Sequence, residues 1–386
     1  MKRTLTQPAP LLRLAVAMAA GIVAGGMVAW PLWVTLLLLA LTVAAALAVG
    51  RWPFAQSALI VAGFALLGMA RLQMSGGVTA DEERAGAVRT WFLERRDDLL
   101  ARYRQVAGED DERYAVLAAM TLGDKRALTR ELRETYSITG ASHVLALSGL
   151  HLGIVYLFVS WLMAGRRRFW LSQVFIILSL WAFALLTGLS VSVVRSASML
   201  SIYALFSVAE RGRASVNVLA FTAIVLLLTD ARTLYDVGFQ MSFAAVLSIL
   251  VFMPLADALV SMERLMRHRW LRWVYGMVAV SVAAQLGVAP LIAFYFHRFS
   301  TYFLLSNFVV IPAATLILYG ALAALVVPPL MPVLLWVVQQ LNAALTLVAR
   351  LPLASIDGLC PSLLQVSMVY VAVGCLYLVL LLGVKK

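Results

Sequence analysis

Residues 169–187 read FWLSQVFIILSLWAFALLT, nineteen positions without a charged side chain. As a helix rising about 1.5 Å per residue, this run covers close to the thickness of a bilayer's hydrocarbon core. Comparable apolar runs lie at about 12–30, 32–50, 54–72, 143–164, 190–209, 214–230, 237–256, 274–296, 302–327, 330–350 and 363–383. Together they predict an all-α polytopic membrane protein with about twelve transmembrane helices. Composition points the same way. Of 386 residues, 63% are hydrophobic and 13% charged, against about 45–50% and about 25% in ordinary globular domains. Such a chain has too little polar surface to cover a water-soluble body. That excludes a conventional cytosolic enzyme, a disordered scaffold and a disulfide-stapled secreted module.

The formal charge of +12 is unevenly spread. Residues 71–139 hold twelve Lys/Arg and thirteen Asp/Glu, so the excess sits at the ends of the apolar runs. With the N-terminus inside, fifteen Lys/Arg fall in inside loops and only Arg232, Arg298 and Arg350 in short outside loops. Positive residues favour the cytoplasmic side, so both termini are expected to be cytoplasmic and residues 73–139 to face outward. A bacterial inner membrane is the expected location. The first run follows Lys2, Arg3 and Arg13 and reads as an uncleaved helix rather than a removed signal peptide. Cys360 in a loop and Cys375 inside the last run are predicted to stay unpaired.

The expected organisation is 1–72 as N-terminal spans, 73–139 as an outward amphipathic helical segment, 140–350 as the core and 351–386 as a final span. Within 73–139, Val88, Phe92, Leu99, Leu100, Tyr103 and Val106 recur at helical spacing. Leu128, Leu132 and Tyr136 suggest a second short helix. Both are expected on the membrane surface or packed on the bundle, and a role in guiding substrate is the sharper alternative.

Polar groups at bilayer depth cost free energy, so their placement is informative. The first cluster is Ser142-His143-Val-Leu-Ala-Leu-Ser148-Gly149-Leu-His151, in which Ser148 and His151 share a helical face. They could bond neighbouring helices. A Ser–His catalytic pair is disfavoured by the three-residue spacing on one helix and the lack of a nearby orienting carboxylate. The four histidines show no metal-binding spacing, and no metal or cofactor is expected. The second cluster is Thr187-Gly188-Leu-Ser190-Val-Ser192-Val-Val-Arg195, where Arg195 either snorkels outward or faces a polar cavity suited to a passing phosphate. In the third, Asp236-Val-Gly238-Phe239-Gln240-Met241-Ser242, Asp236 is a helix cap or a partner for Arg195. The fourth is diffuse: Gln285 near Pro290 and Asn307 near Pro312, in spans expected to be interrupted by the prolines.

In this order, these blocks resemble the competence domain of the ComEC family, the DNA-uptake channel of transformable bacteria. The resemblance runs from Leu122-Gly123-Asp124-Lys125 through Thr139-Gly140-Ala141-Ser142-His143 and Ser148-Gly149-Leu150-His151. It continues in Thr187-Gly188, Ser192, Arg195 and Asp236-Val-Gly238-Phe239-Gln240-Met241-Ser242-Phe243. It implies an inner-membrane conduit for single-stranded DNA during natural transformation, with an ATP-driven cytoplasmic helicase and an outer DNA receptor as partners. Pairing as a homodimer is compatible with it. The substrate path would comprise His143, Ser148, His151, Ser192, Arg195, Asp236, Gln240, Ser242, Gln285 and Asn307. Arg166, Arg167, Arg168, Arg211, Arg213, Arg264, Arg267, Arg269 and Arg272 would ring the cytoplasmic mouth.

Two family domains, an OB-fold and a metallo-β-lactamase-like domain with its HxHxDH motif, are not found in these residues, nor is a P-loop. The chain is therefore expected to be non-enzymatic and to depend on a partner for energy. The alternatives are a transporter or lipid-handling protein derived from the same bundle, and an intramembrane hydrolase using Ser148 and His151.

Overall fold

A computed structural model of the chain describes residues 9–28, 30–49, 52–75, 86–108, 111–164, 169–209, 216–260 and 268–385. In chain order the helices are α1 (Pro10–Met27), α2 (Leu32–Ala48), α3 (Pro53–Met74), α4 (Gly86–Ala107), α5 (Glu112–Leu122), α6 (Arg130–Ile138), α7 (Ser142–Leu145) and α8 (Gly149–Leu162). They continue as α9 (Phe169–Leu186), α10 (Val191–Ala209), α11 (Val216–Thr229), α12 (Val237–Leu259), α13 (Arg269–Phe296), α14 (Phe303–Val326), α15 (Met331–Ala349) and α16 (Leu363–Lys385). One ribbon interrupts this helical chain: β1 (Arg298–Ser300) pairs antiparallel with β2 (Ser355–Asp357).

All twelve predicted apolar runs form helices. Among the described residues, eight helices are long and apolar enough to cross a membrane, while α2, α8, the apolar part of α10 and α11 are shorter. Twelve apolar helices are thus present, and eight of them meet the length of a full crossing. The chain divides into two compact units, residues 1–81 with 210–254 and residues 82–209 with 255–386.

In the first unit, Pro10 and Pro53 open α1 and α3 at a position where the missing N–H costs nothing. These helices then cross at glycine. A Cβ on Gly21 would stand 1.8 Å from the Ala65 carbonyl oxygen, and one on Gly68 would stand 2.2 Å from that of Met18. Small residues let the two backbones touch, a common basis of helix association in lipid. Met18 and Ile22 are fully buried beside this crossing, with Ala220, Ile224 and Leu227 of α11 packed on them. Arg71 spans to the end of α11 and donates to the Leu228 carbonyl at 2.7 Å and to that of Thr229. A cation there complements the negative end of the helix dipole.

The second unit is organised around α5. Asp111 caps it by accepting from the Arg113 N–H, and Gly123 closes it in the left-handed region at φ 73°. Every residue from Tyr114 to Leu122 is buried. Its surroundings are Leu100 and Tyr103 of α4, Leu132 and Tyr136 of α6, and the apolar rows Val310–Ala314–Ile317–Ala321 of α14 and Leu334–Val338–Leu341–Leu345 of α15. Eleven residues make a helix of about 16 Å, too short to span a bilayer. The two expected helices, α4 and α6, are present, and between them lies a third that the sequence reading did not separate, buried from Tyr114 to Leu122. Val88, Trp91 and Val106 of α4 stay exposed, while Leu100 and Tyr103 turn inward.

Two further corrections concern breaks. The predicted run 143–164 is divided, α7 ending at Leu145 and α8 beginning at Gly149. Conversely, α13 and α14 run unbroken through Pro290 and Pro312. Proline removes one donor, and packed neighbours at membrane depth can satisfy the carbonyl so released.

Candidate functional site

The predicted path residues fall into both units. In the second, four glycine contacts draw the polar blocks together. A Cβ on Gly123 would come within 2.8 Å of the Leu147 side chain and 3.6 Å of the Thr187 carbonyl oxygen. One on Gly149 would stand 3.4 Å from the Ser196 hydroxyl, and one on Gly188 3.4 Å from Nη1 of Arg96. Gly140, at φ +76°, lies against Ser300 at 3.0 Å. Gly188 itself is at φ 81°, which a side chain would strain.

At the centre of this cluster Ser148 begins α8 and His151 occupies the third helical position. The imidazole Nδ1 lies 3.3 Å from the Ser148 N–H nitrogen and 3.4 Å from its hydroxyl oxygen. A ring nitrogen accepting from the backbone completes a capping box. His151 is wholly buried, and its other ring nitrogen has no hydrogen-bond partner among the described residues. His143 sits on α7 with Nδ1 3.0 Å from the Gly140 carbonyl oxygen, so it secures a turn.

Arg195 is 5% exposed on α10, with Nη2 3.4 Å from the Ser192 hydroxyl. It does not snorkel outward; protein encloses it. Thr187 and Ser196, at 5% and 3% exposure, are packed beside it in sequence and bond backbone carbonyls of their own helices. The expected open, wet lining is thus replaced here by close packing. On α13 and α14, Asn307 donates to the Ser281 hydroxyl at 3.2 Å, and half-buried Gln285 follows Ser281 by one helical turn.

Asp236, Gln240 and Ser242 belong to the first unit. Asp236 accepts from the Phe239 N–H at 2.7 Å and so caps α12, the plainer of its two expected roles. Gln240 donates to the Leu234 carbonyl at 2.9 Å, and Ser242 is half-buried. Of the basic mouth, Arg269 and Arg272 lie on α13, Arg269 exposed at its start. Arg166, Arg167, Arg168, Arg211, Arg213, Arg264 and Arg267 lie outside the described residues.

Several polar residues here lie outside the expected substrate path. Asp124, in the turn after α5, is buried and receives two parallel bonds from Arg126, at 2.9 and 2.8 Å. These bonds hold its carboxyl below the usual range, and the charge of Arg96 adds to the effect. On α15, Gln339, Asn342 and Thr346 form a polar stripe at helical spacing. They line an open cavity of about 910 Å³ with Asp111, Glu112 and Arg113. Tyr136 donates to the Asn342 side chain at 2.8 Å, and burial raises its phenol, keeping it a donor. The 339/342/346 spacing within an apolar run was the available signal for this stripe.

A family model described as Competence protein matches residues 120–383, which include residues 210–254 of the first unit, most of the second unit and every block quoted above for the resemblance. The chain belongs to the Competence protein family. It is 32% identical over 215 residues to ComE operon protein 3 of Bacillus subtilis (strain 168), covering 54% of this chain and 26% of that protein. It is 30% identical over 231 residues to an uncharacterized protein of Aquifex aeolicus (strain VF5), covering 58% and 52% respectively. This competence-family chain therefore aligns with about a quarter and about half of the length of these relatives. No solved structure matches it. The matched stretch begins inside α5, and α4 precedes it.

Proposed function

We propose that this chain takes part in the uptake of DNA during natural transformation, as the inner-membrane conduit for one strand. Membership of the Competence protein family supports the competence role. Within that role, one observation carries the conduit reading: a buried arginine, Arg195, set with Ser192 among apolar helices whose other charges lie at their ends. A guanidinium in a low-dielectric setting attracts phosphate strongly and costs free energy to keep, so it marks function more than stability.

In this reading the packed cluster of Thr187, Ser192, Arg195, Ser196 and His151 is the closed form of the conduit. The strand crosses when these helices part, exposing a hydroxyl- and guanidinium-lined route. Both termini face the cytoplasm in this reading, and Arg269 and Arg272 at the start of α13 contribute to a basic exit there. Work is supplied by a cytoplasmic helicase, and an outer receptor delivers DNA. The chain itself acts without catalysis, since His151 is engaged as a cap on the Ser148 backbone.

Replacing Arg195 or Gln240 by alanine tests the proposal. Both variants are expected to reach the membrane and to fail in transformation. Normal transformation in both would remove its support. Unchanged transformation after deletion of the gene, with altered envelope lipid or solute uptake, would favour a transporter or lipid-handling role.

A further inference from the structure

Five arginines lie along α4, and only Arg96 turns away from solvent; Arg89, Arg95, Arg102 and Arg104 are exposed. Its side chain is 22% exposed and reaches the Thr187–Gly188 turn, with Nη1 at contact distance from where a Gly188 Cβ would stand. Yet the guanidinium is poorly used. Nε is buried without a hydrogen-bond partner among the described residues. Nη2 makes only a 3.4 Å contact to Asp97, the next residue, whose side chain is 62% exposed. The fork formed by Nε–H and Nη2–H matches two oxygens of one anion, and here it holds a single long bond to an exposed carboxylate. Exposed Lys125 and Arg133 lie on the turn after α5 and on α6, and Arg126 on that turn is held by Asp124.

Resting on the conduit reading, we propose that Arg96 is a phosphodiester-binding residue beside the Thr187–Gly188 turn, with Asp97 occupying the fork until a phosphate displaces it. An unpaired buried N–H costs free energy, whereas a bidentate phosphate satisfies both donors at once. Nucleic-acid backbone and phospholipid headgroup share this chemistry. The adjoining Thr187–Gly188 motif turn favours the strand.

The full chain in zwitterionic nanodiscs, titrated with a fluorescent single-stranded thymidine oligonucleotide at several salt concentrations, tests this. Each phosphate contact contributes about 0.7 to the slope of log affinity against log salt for a single strand. Arg96→Gln should flatten the slope by about that amount. Arg96→Lys should keep the slope and weaken binding, because charge is retained and the fork is lost. Asp97→Asn should tighten binding, while Asp98→Asn, one residue further along the same helix, should tighten it less. If Arg96→Gln fails to fold, Arg96→Lys and Asp97→Asn still decide. An unchanged slope in Arg96→Gln overturns the contact while leaving the conduit reading intact. Loss of retained phospholipid in that variant, with the slope unchanged, assigns the fork to lipid and overturns it too. If the wild type shows no salt-dependent binding, the conduit reading falls and takes this contact with it.

Discussion

His151 and Ser148 are joined through the backbone: the imidazole Nδ1 lies 3.3 Å from the Ser148 nitrogen, at the first turn of α8. A nitrogen that accepts there is committed to holding a helix start. Glutamine is the usual residue to fill that role in a capping box. His151→Gln should therefore keep thermal stability in detergent close to wild type, while His151→Leu should lower it by about 0.5–2 kcal/mol. An activated phosphonate should leave Ser148 unlabelled in the folded protein. Stoichiometric labelling would establish the hydrolase alternative instead.

Enclosure of α5 makes a sharper claim about the segment between α3 and α8. Leu117 is fully buried, so Leu117→Ala should cost about 2–5 kcal/mol, measured as a fall in the denaturation midpoint. A cysteine at Ala118 should resist a membrane-impermeant maleimide, and one at Val88 should react, since the two positions are 0% and 61% exposed. Equal labelling at both would show that α5 lies on a surface.

Backbone contact between α1 and α3 leaves no room at Gly21 or Gly68. Leucine at either position should lower the stability of the folded chain by more than about 1–3 kcal/mol, the usual cost of overpacking a core. Gly374 of α16 has no atom within 4 Å of an added Cβ, and leucine there should be tolerated. Detergent-resistant fluorescence of tagged variants reads out all three.

Acid should act through Asp124. Its carboxyl is held below the ordinary value by Arg126, so the native state favours the ionised form. That stabilisation is complete above the unfolded carboxylate value of about 4 and is lost as pH falls through the lower native value. Asp124→Asn should be less stable than wild type near neutrality and should lose less on acidification. Parallel acid limbs in the two proteins would contradict this.

Much of the architecture could be read in advance because lipid demands long uncharged runs, and these runs became helices, the one at 143–164 being divided after Leu145. α5 escaped notice since its Ala115–Leu122 stretch is shorter than a span and sits between charge-rich flanks, so only tertiary burial distinguishes it. The prolines misled too: Pro290 and Pro312 read as breaks, yet α13 and α14 continue through both. At the candidate site, residue types were informative and environments were not. Ser192 and Arg195 share one block of sequence and lie in contact, but spacing could not tell an open lining from the packed one observed. Asp236 and Gln240 bond within their own turn, a short-range geometry that the sequence pattern left open. Arg96 was invisible because its significance lies in Gly188, far along the chain.

Import of fluorescent DNA into nuclease-protected form is the most direct measurement, made in a strain lacking the gene and complemented with wild type or Arg195→Ala at equal membrane abundance. Wild type should restore import and Arg195→Ala should not, with DNA still bound at the cell surface. Full import through the alanine variant, or in the strain with no copy at all, would contradict a strand-conducting role for this chain.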